Sequence, residues 1–332
     1  MKLSNHLVDV YGVKVLIKSD DSDFLQFVKE NYPCFIKSFN EESVNLKVEF
    51  SKKAGIQARK NKDEMVKMGE GLFRGEADFY WENEFGFSVC VKMFGDDNWV
   101  IKGFHFDLLE KRENEEVLKN YQRSMRWMIH FPIFSMLDNF QGKRLVHASS
   151  ISKNGKAIVL AGLNKVGKSS LGRYLFEKED FKYIADNFLL TDGEKVFAFP
   201  ERGRLSQDAI KALGLDANGK EIVYGKHHYQ FAEEEIEKEA KSEAIFIVGN
   251  EKDLTIQAIN NETGNKTLEG MHRYLKEFPE YTFFSVLDSF DFWERSKQPL
   301  FNKNIPFYRL NYPLDWSLDK TAKEILKCTS IT

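Results

Sequence analysis

The sequence predicts an α/β protein: a C-terminal domain with a mixed sheet, preceded by a smaller N-terminal α/β domain. Three observations predict it. Runs of alternating apolar and polar residues recur through the first 110 positions. The apolar period then becomes helical near Glu115. Finally, the continuous run Ala157-Ile158-Val159-Leu160 leads straight into a glycine-rich loop and a helix-prone segment. The expected layout is an N-terminal domain over residues 1–112, a helical connector over 113–142 and the loop-bearing domain over 143–332.

Taken in order, Val13, Val15 and Ile17 alternate with polar residues, as a half-buried strand requires. Asp23 is placed to cap a short helix carrying Phe24, Phe27 and Val28. Val44 to Phe50 alternates again, as does Phe87 to Met93, which ends at the turn Gly95-Asp96-Asp97-Asn98 before a strand from Trp99. Leu118, Tyr121, Met125 and Met128 form one helical stripe; Pro132 should kink or end that helix, and a second should reach Phe140 before Gly142. Leu145 to Ser152 and Lys156 to Ala161 flank Asn154-Gly155, a strong hairpin signal. A helix over 168–178, strands at Tyr183–Ala185, Glu243–Val248 and Pro306–Leu310, and a last helix capped by Ser317 complete the expected elements.

Composition narrows the function classes. Of the 332 residues, 42% are hydrophobic and 30% charged, the profile of a soluble globular protein. A formal charge of -3 gives no electrostatic reason to expect nucleic acid or an anionic membrane as partner. The stretch Trp127 to Phe140 is too short to span a bilayer and contains His130, Pro132 and Asp138. The N-terminal residues lack the apolar run of a signal peptide, and Cys34, Cys90 and Cys328 form no CxxC pair. These features predict a cytoplasmic, reducing location.

Gly162-Leu163-Asn164-Lys165-Val166-Gly167-Lys168-Ser169 matches G-x-x-x-x-G-K-[ST] in full. The glycines let successive N–H groups point into one concavity, and the following helix adds its positive end. Lys168 is expected to reach the β- and γ-phosphates of a nucleotide, and the Ser169 hydroxyl to ligate Mg²⁺. Phosphoryl transfer also needs a carboxylate, and Asp186, at the end of Phe181–Ala185, is the best placed.

These residues add up to a resemblance. Leu145-Val146-His147-Ala148 opens a hairpin into the loop, Ala185-Asp186-Asn187 stands where the family has an Asp-Asp pair, and Phe199-Pro200, Arg204-Leu205 and Leu213-Gly214-Leu215 follow in order. With Ile305–Leu310 as a closing strand, the region after Leu145 resembles the HPr kinase-like branch of P-loop kinases, related to phosphoenolpyruvate carboxykinase. The resemblance implies ATP-dependent phosphorylation of a serine-type hydroxyl, with Asp186 as base and metal ligand and His147 near the site. Gly162, Asn164, Lys165, Val166, Gly167, Lys168, Ser169 and Ser170 would cradle ATP, with Arg204 as a phosphate clamp. Asn187 is neutral where the family has a second acid, and Ser170 replaces a Glu. No Arg-Gly-rich signature stands beyond Arg202-Gly203, which argues against HPr as substrate.

The leading expectation is thus a kinase using ATP and Mg²⁺ on a hydroxyl of a peptide, protein or small metabolite. The alternatives are a nucleotide-binding regulatory module without turnover, or a P-loop ATPase; a homo-oligomer is compatible with all three. His147 has a competing reading as a hydrogen-bonded core histidine, and Arg204 as a surface stacking residue. Lys226-His227-His228 is read as structural, because adjacent histidines on a strand face opposite ways. Glu233 to Lys241 is read as a solvated helix face, and the aromatics of Tyr281 to Trp316 as core.

Overall fold

The computed structural model describes residues 3–37, 43–68, 70–76, 78–82, 86–94, 98–105, 114–199, 201–215, 222–223, 225–272, 299–313 and 318–331. It is a mixed α/β structure whose two compact units divide between Gln141 and Gly142. No helix among the described residues is long and apolar enough to cross a membrane.

The N-terminal unit holds β1 (Ser4–Val10), β2 (Val13–Ser19), α1 (Ser22–Asn31), β3 (Leu46–Phe50), α2 (Lys52–Asn61), β4 (Val66–Lys67), β5 (Leu72–Arg74), β6 (Asp78–Glu82), β7 (Phe87–Met93) and β8 (Trp99–His105). The eight strands form one sheet in the order β1-β2-β3-β8-β7-β6-β5-β4, with β2, β3 and β8 mutually parallel and the rest antiparallel. The alternating residues behave as expected: Val13, Val15 and Ile17 are buried, as are Leu46, Val48 and Phe50. The helix cap is Asp21 rather than Asp23. Asp21 has the extended backbone of an N-cap, and its carboxylate accepts from the N–H groups of Asp23 and Phe24. Residues 95–97 of the expected turn lie outside the described residues.

The helical stretch of this unit is α3 (Asn114–Met125), a π-turn over Arg126–His130 and α4 (Phe131–Gln141). Pro132 neither ends the helix nor stands alone. A proline cannot donate to the carbonyl one turn back, and the wider π-turn just before it absorbs that defect. The stretch packs within the N-terminal unit: Tyr121 donates to Asp21 at 2.8 Å, and Trp127 stacks on Trp81 at 3.9 Å. Its contacts group it with the first sheet.

The second unit holds β9 (Arg144–Val146), β10 (Ala148–Lys153), β11 (Lys156–Ala161), α5 (Lys168–Lys178), β12 (Lys182–Asp186), β13 (Leu189–Thr191), β14 (Lys195–Phe197), β15 (Gly203–Leu205), α6 (Gln207–Leu213), β16 (Ile222–Val223), β17 (Lys226–Tyr229), β18 (Glu239–Gly249), β19 (Thr255–Ile259), α7 (Asn261–His272), β20 (Phe307–Asn311) and α8 (Leu318–Lys327). Its nine-stranded sheet is mixed: β11 pairs antiparallel with β10 and parallel with β18, which is parallel to β20 in turn. Among the described residues, no strand of the first unit joins it. The expected run Leu145–Ser152 splits at His147, so that Leu145 and Val146 pair with β13 while the hairpin begins at Ala148.

The unbroken apolar run of β11 has a simple cause. Ala157, Val159 and Ala161 enter the core on one face with Ile245, Ile247 and Phe307, while Ile158 and Leu160 meet Leu171, Leu175 and Ile325 on the other. A strand covered on both faces has no polar positions to spare. Residues 233–241 are a short 3-10 turn and the start of β18, so the charge run is not a helix face. Of the aromatic stretch, residues 281–298 and 314–316 lie outside the described residues, while Phe301, Phe307 and Tyr312 are core. Ser317, the expected cap of α8, is likewise outside them.

Candidate phosphate-binding site

The loop Gly162–Ser169 leaves the C-terminal end of β11 and turns into α5 at Lys168. Lys165 and Gly167 take positive φ angles of 65° and 90°. Gly167 is the N-cap of α5 and no side chain caps the helix, so its first N–H groups face the loop's concavity without a protein acceptor from a cap. Leu163, Asn164 and Lys165 are exposed at the loop's tip; Val166 packs against the α5 core, and Ser170 is half-buried in the first helical turn.

Lys168 is buried, and its ammonium donates to the carbonyls of Gly162 and Leu163, both at 2.8 Å. Burial lowers its proton affinity to a pKa of about 8, with Asp186 opposing and Lys226 adding to the fall. The Ser169 hydroxyl donates to Asp186 Oδ1 at 2.7 Å. Asp186 arrives there because β12 pairs with β10, placing Asp186 opposite Ser149 beside the hairpin that feeds the loop. Its Oδ2 faces the Arg204 backbone N–H at 3.4 Å.

Around Asp186 lies a network that sequence reasoning missed. The carboxylate of Glu201, 7% exposed, accepts from Arg204 Nη2 at 2.7 Å and from Asn187 Nδ2 at 3.1 Å. Burial opposes the Arg204 charge, but Glu201, with Asp186, holds its guanidinium protonated above its ordinary range. Arg204 is therefore largely buried and already paired by its side chain, which corrects its reading as a surface stacking residue. The only sequence hint of Glu201 is an acid three residues before Arg204.

His147 joins the site through Asn187, whose carbonyl lies 3.1 Å from Nδ1. A carbonyl only accepts, so Nδ1 carries the proton in the neutral ring. Burial first, then the Lys168 charge, pushes its pKa down to about 4, against hydrogen bonds to Asn187 and Asn164. This has a measurable consequence. In the unfolded chain the ring takes a proton near its ordinary 6.5, in the folded chain only near 4, so stability is full above about 6.5 and falls as the pH drops through that window. The loss should reach about 3 kcal/mol at most. His147→Gln should flatten that part of the curve, as read from denaturant midpoints at pH 7 and 4.5.

His227 and His228 are buried in β17, with His227 Nε2 2.7 Å from Gln207 Oε1. Beneath α5, the Arg173 guanidinium sits 4.8–5.0 Å from the ring centroids of Phe176, Tyr229 and Phe231, tying the three-stranded sheet β15-β17-β16 to the helix. The structure thus gathers Lys168, Ser169, Asp186 and Arg204, and reaches His147 by one further residue.

The residues suit a magnesium–nucleotide ligand. The uncapped helix end and Lys168 offer donors to phosphate, and the Ser169–Asp186 pair offers hard oxygens. No group of three or more His, Cys, Asp or Glu that could hold a metal occurs among the described residues.

No family model matches this chain, and no curated protein matches it. Among solved structures, the chain is similar to the Hpr(Ser) kinase/phosphatase from Coxiella burnetii at 10% identity, covering 56% of this chain and 97% of that one, with a TM-score of 0.29. A likeness this slight leaves the function to the chemistry of the site itself.

Proposed function

We propose that the chain binds ATP with Mg²⁺ in the Gly162–Ser169 loop and transfers the terminal phosphoryl group to a hydroxyl of a peptide, protein or small metabolite. The observation that carries the proposal is the 2.7 Å pairing of Ser169 with Asp186 at the mouth of an uncapped helix. Gly162, Asn164, Lys165, Val166, Gly167 and Ser170 shape the cradle, and Lys168 releases its two loop carbonyls to take phosphate oxygens instead.

Asp186 has two oxygens for two tasks. Oδ1 adjoins Ser169, and together they would hold Mg²⁺, which neutralises charge on the phosphates when bound. Oδ2, met by a long contact from the Arg204 N–H, would receive the acceptor's proton. As that proton moves to Asp186, the acceptor oxygen forms its bond to the terminal phosphorus, the bond from phosphorus to the bridging oxygen breaks, and ADP leaves with the electron pair. Arg204, held by Glu201, orients Asp186 through its backbone rather than clamping phosphate with its side chain. His147, neutral and tied to Asn187, positions the segment after Asp186.

Binding without turnover is the second reading. It is favoured by Asn187, whose amide is bonded to Glu201 where a second acid would serve the metal. The first test is common to both. Millimolar Mg·ATP should raise the melting temperature of the wild type, and Lys168→Ala should remove most of that shift. Absence of a wild-type shift with ATP, ADP and GTP alike would sink nucleotide binding.

A further inference from the structure

We infer that Lys226 is a second phosphate-binding cation, reaching the terminal phosphate from the β16–β17 hairpin and making the site prefer a nucleoside triphosphate to a diphosphate. The inference rests on the nucleotide reading above and adds a residue that no loop motif contains.

The argument begins with register. β17 is the central strand of a three-stranded sheet, and β15 pairs with it so that Arg204 stands opposite His228. Alternate residues of a strand share a face, and so do residues directly opposite one another. Lys226, His228 and Arg204 therefore line one face of this small sheet. The Arg204 N–H on that strand meets Asp186, which in turn meets Ser169. Lys226 opens β17, paired with Val223 beyond the turn at Gly225, and stays exposed while His227 and His228 are buried behind it. It is placed at the rim.

Charge supplies the second line. Lys226 lies within the electrostatic reach of Arg204, Asp186 and Lys165, and acts in turn on Lys168. Partial burial, then Arg204, lowers its own proton affinity; Asp186 opposes, and Lys165 adds to the fall. Lys226, Arg204, Lys165 and Lys168 thus act on one another or on Asp186, while Glu201 is already bound to Arg204. A cluster so unbalanced raises its own energy until a polyanion enters. The surplus is concentrated near Lys168 and Asp186, where the transferred phosphate would lie and where a diphosphate would leave a gap. A cation there also offsets the charge that develops on the equatorial oxygens during transfer.

The test is calorimetric titration of the full chain with Mg²⁺ and either a non-hydrolysable ATP analogue or ADP. Lys226→Ala should weaken the analogue about tenfold and ADP less than twofold, while Lys226→Arg recovers most of the difference. Because Lys226 is solvent-exposed and one of a surplus of cations, its loss should leave the unliganded melting temperature unchanged or slightly higher, and a fall would mark a damaged fold instead of a lost contact. Equal weakening of both ligands, or of neither, overturns the role of Lys226 while nucleotide binding stands. If the wild type binds neither ligand, the nucleotide reading fails and this inference falls with it.

Discussion

Asp186→Asn should depress phosphoryl transfer about 100-fold or more while nucleotide affinity changes only a few-fold. Asparagine keeps the shape of the side chain, a carbonyl oxygen for the Ser169 hydroxyl at 2.7 Å, and the packing at the end of β12. It loses the negative charge and the capacity to receive a proton. The cradle itself does not depend on Asp186: the helix end, Lys168 and the loop N–H groups all remain. Because the acceptor is to be found, the assay begins with labelled ATP against host peptides and metabolites, and the variant follows on the acceptor identified. Near-wild-type transfer by Asp186→Asn would put the base elsewhere. A wild type that binds ATP yet turns over nothing would hand the function to the regulatory reading, with Asn187 as the reason.

What was legible in the sequence, and what was not, follows from the range of the forces involved. The start of α5 at Lys168 was legible because the loop's residue types each have a local task, and because β11 is covered on both faces. The position of Asp186 beside Ser169 was legible because one strand separates it from α5. Glu201 was not. Its importance lies in bonds to Asn187 and Arg204 that only the folded chain brings together. Nor were β15, β16 and β17 legible as a sheet: at three, two and four residues they are too short to show a period, and Arg173 against three rings anchors them. Asp21 and Asp23 are equally fit to cap by residue type. What decides between them is that the chain is extended at Asp21 and already helical at Asp23.

Gly162→Ala should abolish the ATP-dependent rise in melting temperature and cost about 2–3 kcal/mol of stability. Gly162 follows Ala161, which lies beside Ile247 in the parallel pairing of β11 with β18. A Cβ there would stand 2.5 Å from the Val248 carbonyl oxygen and 3.1 Å from Val166 Cγ2. The carbonyl cannot easily retreat, because on its other side β18 is paired with β20, Val248 beside Leu310. The loop must move instead. That displaces the Gly162 and Leu163 carbonyls that seat Lys168, and with them the concavity of N–H groups. Gly270→Ala is the matching control: in α7 an added Cβ meets nothing within 4 Å, so the helix should gain about 0.5–1 kcal/mol and ATP binding should persist. Denaturant midpoints with and without Mg·ATP read both quantities for both variants. If Gly162→Ala keeps the full ATP shift, close approach of this backbone is not what shapes the phosphate cradle, and the loop's role would have to rest on Lys168 and the end of α5 alone.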